Sequence, residues 1–318
     1  MRYRKLGRYG IRVSEVSLGG WLTHGRSIDD DTTSRIVQTA FDLGINLFDT
    51  ADVYNRGEAE LSLAKAIVGI KREDLVLATK CYFPMSDKPN DRGLGRKHIF
   101  ESVHASLKRL NTDYIDIYQF HRFDSETPLD ETVRAIDDLV RQGKVLYWGV
   151  SEWQAEQISD LAHTAKSLNA NPPASNQPRY HMLARDIETS ILPTCERNGM
   201  GSIVFSPLAQ GILTGKYLPG QPAPAGTRGS DESSNTFMLG MLNDDVLTRV
   251  QKLKSFAEAN GSNLTQFALA WILRKPGISS VIVGASRPDQ IVTNAEASGV
   301  EFSPEVWTMA EAILEGRA

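Results

Sequence analysis

The sequence predicts an α/β protein, a (β/α)8 (TIM) barrel with a long loop and an extra helix after the seventh strand. Three observations predict it. Eight short β-branched and aromatic runs end in polar or glycine residues: Glu15–Gly19, Asn46–Thr50, Leu75–Lys80, Tyr114–His121, Val145–Ser151, Ala174–Arg179, Gly201–Pro207 and Ile278–Ala285. Most of these ends recur at intervals of about 30 residues, the length of a βα unit. The chain also lacks the G-x-G-x-x-G turn that a doubly wound sheet normally places after its first strand. Gly93-Leu94-Gly95 comes nearest, but it runs into Arg96-Lys97-His98 with no strand before it. No Walker A, H-E-x-x-H, C-x-x-C or G-x-S-x-G sequence is present.

The segments between the strands carry helical spacing. Ile99, Val103, Leu107 and Leu110 form one apolar stripe, and Val133, Ile136 and Val140 form another. Thr127 reads as an N-cap with Pro128 in the first turn behind it. Between Pro207 and Ile278 the rhythm breaks for roughly 70 residues, about twice a helical crossover. Leu218 to Gly240 is rich in Gly, Pro and Ser and reads as a loop, followed by helices at Asp244–Ala259 and Thr265–Arg274. An insertion after a late barrel strand opens onto the catalytic face, where a lid would sit. A barrel of about 250 residues plus these extensions fills the chain, so residues 1–318 read as a single domain.

Composition narrows the function. The 318 residues carry 35 Lys+Arg against 39 Asp+Glu, a net charge of −4, and 41 % are hydrophobic. There is enough apolar material to exclude a disordered chain. Interspersed charges of this balance argue against a nucleic-acid binder. No run approaches the roughly 18 apolar residues of a membrane span, and Met1-Arg2-Tyr3-Arg4-Lys5-Leu6-Gly7 lacks the apolar core of a secretory signal. Cys81 and Cys195 are too few for a disulfide framework or a Cys-built zinc site. His24, His98, His104, His163 and His181 show no metal-ligand spacing. The expectation is a cytoplasmic enzyme with no metal.

Barrel enzymes place catalytic groups at the carboxyl ends of their strands. In order, those ends give Asp49 after Asn46-Leu47-Phe48, Lys80 after Val76-Leu77-Ala78-Thr79, and His121 after Ile117-Tyr118-Gln119-Phe120. Tyr54 follows Asp49 within Asp49-Thr50-Ala51-Asp52-Val53-Tyr54. A tyrosine with a pKa of about 10 is a poor proton donor to a carbonyl. A neighbouring ammonium favours the phenolate and brings it towards a working value. The lysine then needs a carboxylate to stay charged in a partly dry pocket, and Asp49 is placed to supply it. Asp49 and Lys80 alone would suit a structural ion pair, and His121 alone a core histidine. Four such groups at three consecutive strand ends point instead to a site. Cys81 alternates away from it and reads as a buried thiol.

The sequence resembles the aldo-keto reductases. Leu47-Phe48-Asp49-Thr50-Ala51-Asp52-Val53-Tyr54 looks like the family's aspartate and tyrosine motif, and Lys80 and His121 fall where its lysine and histidine fall. The resemblance runs from Leu6-Gly7 to Asn294. It is closest to the potassium-channel β-subunit branch and its bacterial relatives, through Gly44–Thr50, Tyr147–Ser151, Ser206–Gly211 and Val283–Ser286.

The resemblance implies an NADPH-dependent reductase of small-molecule aldehydes and ketones. Tyr54 would be the general acid, Lys80 its tuner, Asp49 the lysine's partner and His121 the carbonyl orienter. Ser151 and Gln177 match positions that hydrogen-bond the nicotinamide carboxamide, and Phe205 an aromatic that stacks on its ring. Ser206, Pro207, Leu208 and Gly211 would wrap the pyrophosphate, with Lys216 and Arg228 as phosphate partners. Gly284, Ser286, Arg287, Gln290 and Asn294 match the adenosine end. Gly20, Trp21, Tyr82 and Trp153, with Phe83, would form an apolar substrate wall suited to aryl or medium-chain aldehydes.

This chain departs from the pattern at Glu152, where the wider family usually has Asn and the channel branch Arg. It departs too at Phe205, Gln290 and Thr293. His121 is histidine where mammalian channel subunits carry Asn, which argues for an ordinary reductase. The rival implication is a cofactor-sensing, channel β-subunit-like binding protein with little turnover. A third reading makes Lys80 a Schiff-base lysine of a barrel aldolase, against which Tyr54, Ser151 and Gln177 speak. Family members include monomers, tetramers and octamers, which tilts the expectation towards a homo-oligomer without fixing its size.

Overall fold

The computed structural model describes residues 1–25, 27–231, 235 and 238–317. It opens with an antiparallel hairpin, β1 (Tyr3–Lys5) and β2 (Arg12–Ser14), which sequence spacing did not reveal because each strand has only three residues. Its turn needs Gly7, at φ +57°, where a Cβ would stand 2.3 Å from the Gly199 carbonyl oxygen.

The barrel then follows in βα order: β3 (Val16–Gly19), α1 (Asp30–Asp42), β4 (Leu47–Asp49), α2 (Glu58–Ala66), β5 (Val76–Cys81), α3 (Arg96–Leu110), β6 (Ile115–Phe120) and α4 (Leu129–Arg141). It continues through β7 (Val145–Ser151), α5 (Ala155–Ser167), β8 (Ser175–Gln177), α6 (Ile191–Arg197), β9 (Gly201–Phe205), α7 (Asp244–Ala259), α8 (Leu264–Leu273) and β10 (Ile278–Val283). Helices α9 (Pro288–Ala295) and α10 (Pro304–Leu314) complete the described chain. Among the described residues eight parallel strands close into a barrel, β10 pairing with both β3 and β9.

Local chemistry sets the helix starts. Asp29 caps α1 by accepting from the Thr32 amide at 2.6 Å, and Asn243 and Asn263 cap α7 and α8 in the same way. The α4 cap is a correction. Pro128 is the N-cap, and the Thr127 hydroxyl donates to Asp124 at 2.7 Å instead of capping the helix. Within the expected loop at 218–240, residues 232–234, 236 and 237 lie outside the described residues. The rest includes short turns at Arg228–Ser230 and Leu239–Met241 before α7.

Alternation along the strands divides the barrel. Leu47, Ala78, Ile117, Ile203 and Ile282 fill its lower interior together with Leu6 and Val13 from the hairpin, which closes the amino-terminal end. Phe48, Leu77 and Tyr118, between them in sequence, pack outward under the helices. One step further up the same inward faces stand Asp49, Lys80 and Gln119. The lower barrel is therefore apolar, and its carboxyl-end layer is polar.

Candidate active site

Lys80 is fully buried, and its ammonium is enclosed by acceptors. It donates to Asp49 Oδ1 at 2.9 Å, to Asp49 Oδ2 at 2.8 Å and to the Thr50 carbonyl at 2.7 Å. Its longest contact is the Tyr54 hydroxyl, at 3.4 Å. Burial pulls the lysine down, but the charge of Asp49, the Tyr54 phenol and their hydrogen bonds outweigh it and hold the pKa above the usual value. Tyr54 is carried on the short turn at Tyr54–Gly57, which Asn55 and Arg56 make with left-handed backbone. Burial raises its phenol, and the ammonium of Lys80 pulls it down without overcoming burial. The sign of the lysine's effect is thus the expected one, and the net shift is upward.

His121 follows β6, with its amide donating to the Cys81 carbonyl at 2.9 Å. Its ring meets Tyr54 edge-on at 5.7 Å between centroids, and Phe83 at 5.0 Å. Burial, then the positive charges of Lys80 and Arg122, hold the imidazole well below its ordinary pKa, so it is neutral. Its Nδ1 is buried without a hydrogen-bond partner. Asp49, Tyr54, Lys80 and His121 are therefore brought together.

Gln177, at the end of β8, donates both amide hydrogens inward, to Asp49 Oδ1 at 2.8 Å and to Gln119 Oε1 at 2.9 Å. Its own Oε1 stays available as an acceptor. Ser151 donates to the Gln177 carbonyl at 2.9 Å. Glu152, next to it, has left-handed backbone (φ +59°) and accepts from the Arg179 amide at 2.7 Å.

After β9, Phe205 is half-buried and Pro207 buried. Ser206, Ala209, Gln210 and Gly211 all have positive φ, between +48° and +100°. Such backbone in residues with side chains is costly, and the turn is closed by the Ala209 and Gly211 amides, which donate to the Ser206 and Leu208 carbonyls at 2.9 Å each. Gln210 links Ser206 to Arg228 by hydrogen bonds. Lys216 stands over Gly211, where a Cβ would meet its Nζ at 3.3 Å. Leu208 packs against the core. Two cations, Lys216 and Arg228, beside the Ser206 and Gln210 side chains suit a diphosphate, so this donor set fits a nicotinamide dinucleotide.

The last strand end is arranged differently. The Ser286 amide donates to Gln290 Oε1 at 2.8 Å, and its hydroxyl donates there at 3.2 Å. Arg287 pairs with Asp289 at 3.1 and 3.2 Å rather than standing alone. Gly284 is exposed, and Asn294 is buried on α9.

On the substrate side, Gly20 is required by close approach, since a Cβ would lie 2.4 Å from His24 Nδ1. Trp21 is half-buried with its ring 6.5 Å from that of Tyr54. Tyr82 packs partly into the core and touches Phe83 edge-on at 5.2 Å, so Phe83 is the ring that meets His121. Trp153 is fully buried, edge-on to Phe123 at 4.9 Å, with the side chains packed under the helices, and its Nε1 has no hydrogen-bond partner among the described residues.

Sequence spacing missed Gln119 and Arg122. Gln119 was legible from alternation, two residues before His121. Arg122 was not, because the strand ends at Phe120 and alternation lapses there. Among the described residues, no three His, Cys, Asp or Glu side chains cluster as metal ligands. No helix among them is long and apolar enough to cross a membrane.

Comparison with known proteins agrees with this geometry. The aldo/keto reductase family model matches residues 15–315. A protein of Oryza sativa subsp. japonica named "Probable voltage-gated potassium channel subunit beta" is 41 % identical over 322 residues, covering 100 % of this chain and 98 % of the relative. An Arabidopsis thaliana protein of the same name is equally similar, at 41 % over 322 residues. A Schizosaccharomyces pombe protein named "Putative voltage-gated potassium channel subunit beta" is 43 % identical over 325 residues, 98 % of this chain and 93 % of its own. The barrel, its polar carboxyl-end layer and these matches together make the chain a member of the aldo/keto reductase family of oxidoreductases.

Proposed function

We propose that this chain reduces aldehyde or ketone carbonyls to alcohols with NADPH, Tyr54 acting as general acid. The observation that carries the proposal is the line Asp49–Lys80–Tyr54, with the neutral ring of His121 against Tyr54. When bound, the nicotinamide supplies the hydride. Ser206, Gly211, Lys216 and Arg228 would hold its diphosphate, and Ser151 and Gln177 its carboxamide.

Asp49 keeps Lys80 charged, and Lys80 presents its N–H to the phenol oxygen, so the Tyr54 proton points away from the lysine. A ring N–H of neutral His121 donates to the carbonyl oxygen and fixes its direction. As the oxygen becomes an alkoxide it takes the proton from Tyr54, and the Lys80 ammonium stabilises the phenolate left behind. Held protonated by three acceptors, Lys80 is a poor amine nucleophile, which counts against the Schiff-base alternative.

Titration with NADPH and NADH, followed by protein fluorescence and then by loss of the reduced nicotinamide's absorbance across an aldehyde panel, tests the reading. Saturable binding with aldehyde-dependent oxidation is expected, and absence of oxidation with every aldehyde overturns it. The relatives' names favour a second reading, a cofactor-binding channel subunit. Tight nucleotide binding with negligible turnover is the outcome that selects it.

A further inference from the structure

Arg122 sits at the mouth of the barrel directly after His121. Its Nη1 donates to the His121 carbonyl at 2.5 Å, and its guanidinium carbon lies 5.5 Å from the centroid of the Phe83 ring, the ring that meets the imidazole. Its charge reaches the reacting groups, pulling both Tyr54 and His121 down. The other half-buried arginines show what is unusual here. Arg4 pairs with Glu15, Arg72 with Asp116, Arg109 with Glu60, Arg185 with Glu188 and Glu311, and Arg249 with Asp245. Among the described residues only Arg122 and Arg228 are half-buried arginines without a carboxylate partner, and Arg228 belongs to the diphosphate turn.

A guanidinium has five N–H donors in a planar fork that matches a carboxylate. Arg122 engages one of them on its own neighbour's carbonyl, which fixes the side chain without neutralising it. We propose that Arg122 anchors an acid group on the substrate, so that the preferred carbonyl compounds are aldehydes bearing a carboxylate at the end away from the carbonyl. The proposal rests on the reductase reading. Phe83 and Trp21 would then flank the carbon skeleton, with the aldehyde at Tyr54 and His121.

The test compares kcat and KM for 4-formylbenzoate and its uncharged methyl ester, using the full chain with NADPH. A charge-assisted, partly desolvated pair is worth ~10-fold or more, so the wild type should favour the acid by that factor in kcat/KM, through KM. In Arg122→Gln the acid-to-ester ratio should fall to about one, and Arg122→Lys should restore part of it. A wild type without preference overturns the proposal. So does a Gln variant that loses both substrates in parallel, for Arg122 would then only hold the His121 carbonyl. If neither compound, nor any other aldehyde, is reduced, the reductase reading fails by itself. Quenching of tryptophan fluorescence by the two compounds then decides about Arg122. Tighter binding of the acid that vanishes in Arg122→Gln keeps the anchor, and equal binding removes it.

Discussion

The two faces of β5 each carry a buried acid–base pair, and the pairs are built for different ends. On the inner face Lys80 meets Asp49; on the outer face Thr79, one residue earlier, donates to Glu60 at 2.6 Å, and Glu60 accepts from Arg109 at 2.5 Å. The outer pair is closed. Glu60 has a hydroxyl on one oxygen and a guanidinium on the other, and nothing in that contact is left to bind. The inner pair opens onto a phenol 3.4 Å away and an imidazole whose Nδ1 has no partner. A satisfied network fixes structure, whereas an unsatisfied one retains hydrogen-bonding capacity for a ligand.

That contrast is sharpest at Tyr54. Tyr54→Phe removes the transferable proton and leaves the packing, so turnover should fall by ~10³-fold with NADPH affinity and thermal stability nearly unchanged. Steady-state kinetics beside a nucleotide titration and a melting curve reads all three, and retained turnover would sink the assignment. Lys80→Met goes further inward, because it strands the Asp49 carboxylate in the barrel. Removing one partner of a buried pair costs ~3–5 kcal/mol, so this variant should lose stability as well as activity in denaturant titration.

The outer pair should behave in the opposite way. Glu60→Gln leaves Arg109 without its acid, but the Arg109 side chain is 22 % exposed and water compensates part of the loss. About 2 kcal/mol of stability should go, less than for a fully buried pair, with kcat within about two-fold of wild type. A large fall in kcat at unchanged stability would mean that the two faces are coupled through β5.

The same contrast explains what could be read from the sequence. Strand ends are marked by composition, so all eight barrel strands and the residues Asp49, Lys80 and His121 were legible, as was α7 to the residue. The three-residue strands of the hairpin are too short to show a period. A tryptophan just after a strand end, such as Trp153, looks the same in sequence whether it faces the mouth or the helices. Its fully buried contact with Phe123 is a tertiary fact. Arg122 was hidden for a related reason, its direction being set by the His121 carbonyl and not by the strand.

The smallest expected effect separates the faces by pH. Behind the site, Asp52 is buried with Oδ2 accepting from Ser102 at 2.7 Å and Oδ1 unpartnered. Burial first, then the charge of Glu60, raise its carboxyl from 3.8 to about 7, against the Ser102 bond and the Arg109 charge. Cys81 and Tyr118 also face it, both pushed up by burial and remaining neutral. Between those two values the folded chain holds a proton that the unfolded chain has lost, so this group's contribution to stability falls as pH rises from about 4 to about 7. His121 has the opposite slope. Its folded pKa is depressed, the unfolded chain takes up a proton below about 6.5 that the folded one does not, and stability falls as pH drops. Asp52→Asn should therefore raise the melting temperature at about pH 8 by a few degrees and change it little at about pH 4, where folded and unfolded chains both hold the proton. His121→Asn should do the reverse, gaining relative to wild type only on the acid side. Equal shifts at both pH values would show that the substitutions act through packing, and that neither face titrates as its burial requires.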